Sequence, residues 1–100
     1  MNSINVHGKT WFDSVNGNSY FSARVEIDGV EVARLPFQYG YGDQYLYEAL
    51  KALKKLELVP QDAGSLFRFA DENKVALYRV LETSLKRDVT GWGKEWKSTK

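Results

Sequence analysis

Cysteine is absent from this chain of 100 residues, which excludes disulfides, thiolate metal sites and cysteine nucleophiles and is compatible with a reducing compartment. Histidine occurs once, as His7, so any base-and-nucleophile pair would have to recruit it. Long apolar runs are also missing, and with them any segment able to span a bilayer. The start, Met1-Asn2-Ser3-Ile4-Asn5, lacks the basic and apolar regions of a signal peptide. The expected location is therefore cytoplasmic, with no membrane partner. An excess of one charge is lacking too: 14 basic against 13 acidic residues leave +1. Bulk charge of that size does not drive general nucleic-acid binding, which needs many phosphate contacts, although local patches remain open.

What the sequence does contain, 43% hydrophobic and 27% charged residues, fits a single α+β domain over residues 1–100 with a core of its own. Basic residues gather toward the end. Lys86, Arg87, Lys94, Lys97 and Lys100 stand against Asp88 and Glu95, a pattern that reads as a solvated, irregular basic tail over 89–100.

Asn16-Gly17 and Asp28-Gly29, each flanked by β-branched and aromatic residues, are hairpin signals that predict a β-meander over 1–39. A two-residue turn at Asn16-Gly17 would pair Phe12 with Phe21, Thr10 with Ala23 and Val6 with Ile27. At the second turn, a two-residue loop would set Glu26 against Glu31, a like-charge pair. A three-residue loop avoids this and pairs Phe21 with Leu35 and Ala23 with Ala33. The expected core face carries Val6, Phe12, Phe21, Ala23, Val25, Leu35 and Phe37.

Pro36 to Leu46 joins a strand, a glycine-tyrosine loop and a helix start. Four tyrosines (Tyr39, Tyr41, Tyr45, Tyr47) crowd this junction, where rings with a polar tip suit a half-buried seam or a contact surface. Asp43 is placed to cap a helix over 43–58 with an apolar stripe of Leu46, Ala49, Leu50, Leu53 and Leu56. Residues 65–84 fit either one long helix or, the reading favoured here, a short helix over 65–73 and a fourth strand over 75–84. The expected fold is thus an antiparallel sheet of three to four strands with two helices on one face.

No catalytic, cofactor or metal site emerges. Gly40-Tyr41-Gly42 precedes a helix, but Tyr45 stands where a third phosphate-loop glycine belongs and Asp43 would oppose a phosphate. His7 is expected on the outer sheet face opposite Glu26, without a nucleophile or metal-ligand spacing beside it. Glu72-Asn73-Lys74 and Glu95-Trp96-Lys97 have a spacing found in some nucleases, and neither sits securely in a sheet core.

The outer face is the more informative surface. Lys9, Trp11 and Asp13, then Tyr20, Ser22 and Arg24, then Val32 and Arg34 interleave aromatic and basic residues there. Such a face can engage a protein, since Trp, Tyr and Arg are common interface anchors, or stack single-stranded nucleic acid. Alternatively, the segment with Trp92 and Trp96, or a second copy in a homodimer, covers it. The candidate partner-binding residues are Lys9, Trp11, Tyr20, Arg24, Arg34, Tyr39 and Tyr41.

Lys9-Thr10-Trp11-Phe12-Asp13-Ser14, Asn16-Gly17-Asn18-Ser19-Tyr20 and the run Pro36 to Leu46 resemble small uncharacterised proteins encoded by tailed phages and prophages. Lys86-Arg87-Asp88-Val89 adds a similarity near the end. The resemblance implies a small accessory protein in an infected bacterium, where binding a host or phage macromolecule is a common role and a host defence protein is one target. It carries over no functional residue. The expected function is a non-enzymatic binding module without cofactors, the alternative a single-stranded nucleic-acid binder on the same face.

Overall fold

Ser3–Asp13 (β1), Asn18–Ile27 (β2) and Val30–Tyr39 (β3) are antiparallel neighbours, followed by helices Gln44–Lys55 (α1) and Leu66–Glu72 (α2), strand Ala76–Thr83 (β4) and helix Lys86–Trp92 (α3). The computed structural model describes residues 1–94. The fold is α+β, and the sheet order is β3-β2-β1-β4.

β4 pairs with β1 in parallel, from Ser3 beside Ala76 to Thr10 beside Thr83. The sheet is therefore mixed, which corrects the antiparallel expectation. No hairpin joins β4 to its neighbour. The chain reaches it from β3 through α1 and α2, and a connection of that length permits parallel pairing.

Both expected registers are corrected. Val6 pairs with Val25, Thr10 with Phe21 and Phe12 with Ser19, so Ser14 to Gly17 form a four-residue loop. The Asp13 carboxylate organises it by accepting from the Val15 and Asn16 N–H groups and the Asn16 side chain, while left-handed Gly17 (φ +74°) donates to the Asp13 carbonyl at 2.7 Å. An aspartate bonded to the backbone just ahead of it nucleates a wider turn than Asn-Gly alone. The slip is two residues, so every side chain keeps its face.

At the second turn Asp28 (φ +51°) and Gly29 (φ +83°) form the two-residue loop, and Glu26 does face Glu31. Arg34 bonds the Glu31 carboxylate and offsets the repulsion. Irregularities between Val25 and Glu26 and between Phe21 and Ala23 then shift β3. Ala23 meets Leu35, Val25 meets Ala33, and Phe37 is carried to the outer face, where it stacks on Tyr20. Phe37 is thus not a core residue. Neither is Phe12, which is 57% exposed.

The core joins Ile4, Val6, Phe21, Ala23, Val25 and Leu35 to Tyr45, Leu46, Ala49, Leu50 and Leu53 of α1, Leu66 and Ala70 of α2, and Val75. Tyr45 is an addition to the expected stripe, and Leu56, after the last helical turn, is exposed. α1 is shorter than 43–58. Asp43 holds its N-cap position without a side-chain bond, and its carbonyl accepts from Leu46 and Tyr47. α2 is capped by Ser65, whose hydroxyl accepts from the Arg68 N–H at 3.0 Å, and closed by Asn73, whose amide donates to the Phe69 carbonyl.

α3 corrects the irregular tail expected from residue 89. It packs on the sheet face opposite α1 and α2, burying Val89 completely. Glu95-Trp96-Lys97, Lys100 and the rest of 95–100 lie outside the described residues.

Candidate functional site: the outer face of the sheet

Alternation along β1 and β2 places His7, Lys9, Trp11, Tyr20, Ser22 and Arg24 on the face away from the α1 core, and Arg34, Phe37 and Tyr39 join them from β3. α3 divides this face into two parts.

Trp92 is the centre of the first part. Its indole N–H donates to the His7 carbonyl at 2.7 Å. The Arg24 guanidinium sits 3.8 Å from its ring centre, the Lys9 ammonium 4.7 Å away, and the His7 ring 4.7 Å away with its plane tilted by 59°. Arg24 also donates through Nε to the Trp92 carbonyl at 2.9 Å, and Arg34 through Nη1 to the Lys94 carbonyl at 2.9 Å. Each arginine therefore satisfies a carbonyl at the end of α3, where cations are favourable. Between them the buried Ser22 hydroxyl donates to the Val89 carbonyl. Gly93 completes the contact. A Cβ there would lie 2.2 Å from the Leu35 carbonyl oxygen and 2.6 Å from the Ser22 Cβ, so only glycine lets the chain approach this closely.

His7 lies opposite Arg24, and Glu26 is beside Asn5, so the expected His7–Glu26 pair does not form. Instead His7 Nε2 is 3.0 Å from a Glu82 carboxylate oxygen on β4, and Lys9 Nζ is 3.3 Å from the same oxygen. The His7 hydrogen bond, followed by that of Lys9, lowers the Glu82 pKa. Glu82 thus shares a hydrogen bond with His7 and an ion pair with Lys9. Among the described residues no three His, Cys, Asp or Glu side chains converge as a metal-binding group.

The second part is a row of rings beside α3. Trp11 and Tyr20 stack with centres 5.8 Å apart and planes 27° apart; Tyr20 and Phe37 follow at 5.1 Å and 9°. Tyr39 meets Tyr20 edge-on at 5.9 Å. The Lys86 ammonium lies 5.3 Å from the Trp11 ring centre. Trp11, Tyr20 and Phe37 thus turn faces toward one another, while Tyr39 stands edge-on to the row. Tyr39 is 60% exposed and Tyr41, at the β3–α1 junction, 72%. The other junction tyrosines part ways: Tyr47 points to solvent and Tyr45 into the core, where burial pushes its phenol pKa up against the lowering effect of Arg79.

No family model, curated protein or solved structure matches the chain.

Of the seven candidate residues, the structure brings Trp11, Tyr20 and Tyr39 together and leaves Tyr41 exposed nearby on the chain. Lys9, Arg24 and Arg34 belong to the part held under α3. Sequence reasoning missed Phe37 as a member of the row. Pro36 was the available signal, since a proline inside a strand marks an edge or an irregularity that can reverse the next side chain.

No described helix is long and apolar enough to cross a membrane. An apolar recess of about 160 Å³ lies between α1 and α2, lined by Leu46, Tyr47, Leu50, Leu66 and Phe67 with Asp43 and Ser65.

Proposed function

We propose that this protein is a non-enzymatic binding module that engages a protein partner in the cytoplasm through the aromatic row Trp11, Tyr20, Phe37 and Tyr39, with Tyr41 at its margin. The observation carrying this reading is the row itself, which α3 leaves beside the covered part of the outer face. Aromatic side chains with polar tips contribute large contact area with few rotatable bonds, which makes Tyr and Trp frequent anchors in interfaces. The resemblance of residues 9–46 to phage and prophage proteins supports an accessory role, with a host or defence protein as the partner. Arg24 and Arg34 act here as supports of the surface, because they hold the end of α3.

Single-stranded nucleic acid is the weaker reading. Base stacking needs open ring faces, whereas Tyr20 is stacked between Trp11 and Phe37 and the Lys86 ammonium approaches the Trp11 ring.

The test is affinity capture of the tagged protein from bacterial lysate with and without nuclease, repeated with the triple variant Trp11→Ala, Tyr39→Ala, Tyr41→Ala after its fold has been verified. A stoichiometric, nuclease-resistant partner lost by the triple variant supports the proposal. Retention of every partner by the folded variant ends it. Recovery that vanishes with nuclease, together with tryptophan quenching by oligonucleotides at low salt, moves the assignment to nucleic acid.

A further inference from the structure

The two edges of the sheet differ. β3 carries Pro36, which has no N–H to offer, and its pairing with β2 is interrupted by two irregularities. These are devices that discourage another strand from joining. β4 has none of them. It runs without a register shift from Ala76 to Thr83 beside β1, contains neither proline nor lysine, and exposes most of its side chains, including Tyr78 and Val80.

The direction of its backbone groups follows from its ends. The Ala76 N–H donates to the Asn2 carbonyl at 2.9 Å and the Ser84 N–H to the Thr10 carbonyl at 2.8 Å. Strand alternation then turns the N–H and C=O of the even-numbered residues toward β1 and those of Leu77, Arg79, Leu81 and Thr83 toward the edge that no described strand pairs. These four positions are symmetric about Val80.

We propose that the chain forms a two-fold dimer in which β4 pairs antiparallel with β4 of a second copy, with Val80 on the axis. This register sets Leu77 opposite Thr83 and Arg79 opposite Leu81 of the second copy, so all four outward residues join hydrogen-bonded pairs. Moving the axis to Arg79 would oppose two guanidinium groups and leave Thr83 unpaired, and moving it to Leu81 would leave Leu77 unpaired. On the outer face, Tyr78 lies opposite Glu82 of the second copy, and the two β-branched Val80 side chains meet. The net charge of +1 per chain offers little repulsion. A two-fold axis perpendicular to the sheet continues it through both copies, with α1 and α2 on one side and α3 on the other. None of the aromatic row lies on β4, so this dimer stands or falls independently of the proposed partner site.

Because the chain has no cysteine, single-cysteine variants report the register directly. Val80 occupies a non-hydrogen-bonded pair, where Cα atoms approach to about 4.5 Å, within the range a disulfide spans. Val80→Cys is expected to cross-link rapidly under mild oxidation. Tyr78→Cys and Glu82→Cys are each expected to cross-link slowly alone and rapidly when mixed. By sedimentation the wild-type chain should run at twice its 11.5 kDa mass across the micromolar range, and Val80→Lys should return it to the monomer mass with unchanged circular dichroism. A wild-type chain that remains monomeric overturns the proposal. So does a dimer in which Val80→Cys cross-links no faster than Tyr78→Cys, because the contact then lies elsewhere.

Discussion

Arg24 holds Trp92 twice, with its guanidinium 3.8 Å from the ring centre and its Nε donating to the carbonyl of the same residue at 2.9 Å. Together with the indole bond to the His7 carbonyl, this fastens the end of α3 to β1 and β2. Trp92→Ala is expected to lower stability by about 2 to 4 kcal/mol, toward the lower part of the range for large aromatic truncations because Trp92 is only half-buried. Denaturant unfolding measures it, and a loss below about 0.5 kcal/mol would mean that the Trp92 contacts contribute nothing to the fold.

The two glycines near the end of α3 separate close approach from helix propensity. Gly93→Ala places its Cβ against the Leu35 carbonyl and should destabilise by about 1 to 3 kcal/mol. Gly91→Ala meets open space within the helix and should stabilise by up to about 1 kcal/mol. Paired thermal melts decide whether the signs differ as stated.

Leu50 and Leu56 make a second contrast. Leu50, buried between sheet and helices, should lose about 2 to 5 kcal/mol on substitution by alanine. Leu56, exposed past the end of α1, should lose less than about 0.5 kcal/mol in the same substitution. Equal losses would place the apolar stripe one turn further along the helix.

Asp28 connects the second turn to the beginning of β1, since its carboxylate accepts the N–H groups of Asn2 at 2.7 Å and Ser3 at 2.8 Å. Those bonds hold its pKa below the ordinary aspartate value. A folded pKa below the unfolded one contributes stability above the unfolded value of about 3.9 and loses it as pH falls through the folded value. Carboxyl titration by NMR should therefore give an Asp28 midpoint below that of an unstructured aspartate. Exchange at the Ser3 amide should lose protection in the same acidic interval, and Asp28→Ala should abolish that dependence.

The meander, the α1 stripe and the separation of α2 from β4 were legible because each has a local cause: turn residues, a helical apolar period, and Asn73 at a helix end. The registers were less so. At the first turn the Asp13 carboxylate outweighed the Asn-Gly signal, and the pairing slipped by two residues, which hydrophobic alternation cannot detect. At the second turn Arg34, three residues further along the strand than Glu31, offsets the like-charge pair of Glu26 and Glu31.

Longer-range features could not be read locally. α3 contains Thr90 and Gly91, poor helix formers, and owes its conformation to Trp92 and Val89 docking on side chains far earlier in the chain. The direction of β4 depends on where α1 and α2 deliver it. The candidate site was legible as a set of residues on one face. Its division into a covered part and a ring row was not, because that required the position of Trp92.

β1 lies between β2 and β4, so a strand that leaves the ribosome early gains its second neighbour only after residues 76–83 have been synthesised. Until then the growing chain carries a bare edge in what will become the middle of the sheet, open to the wrong strand. The order of synthesis and the order of closure run against each other, and the closing step depends on contacts far apart in sequence, which slow folding. Whatever shields that edge in the interval guards the yield of native molecules without leaving a trace in the finished fold.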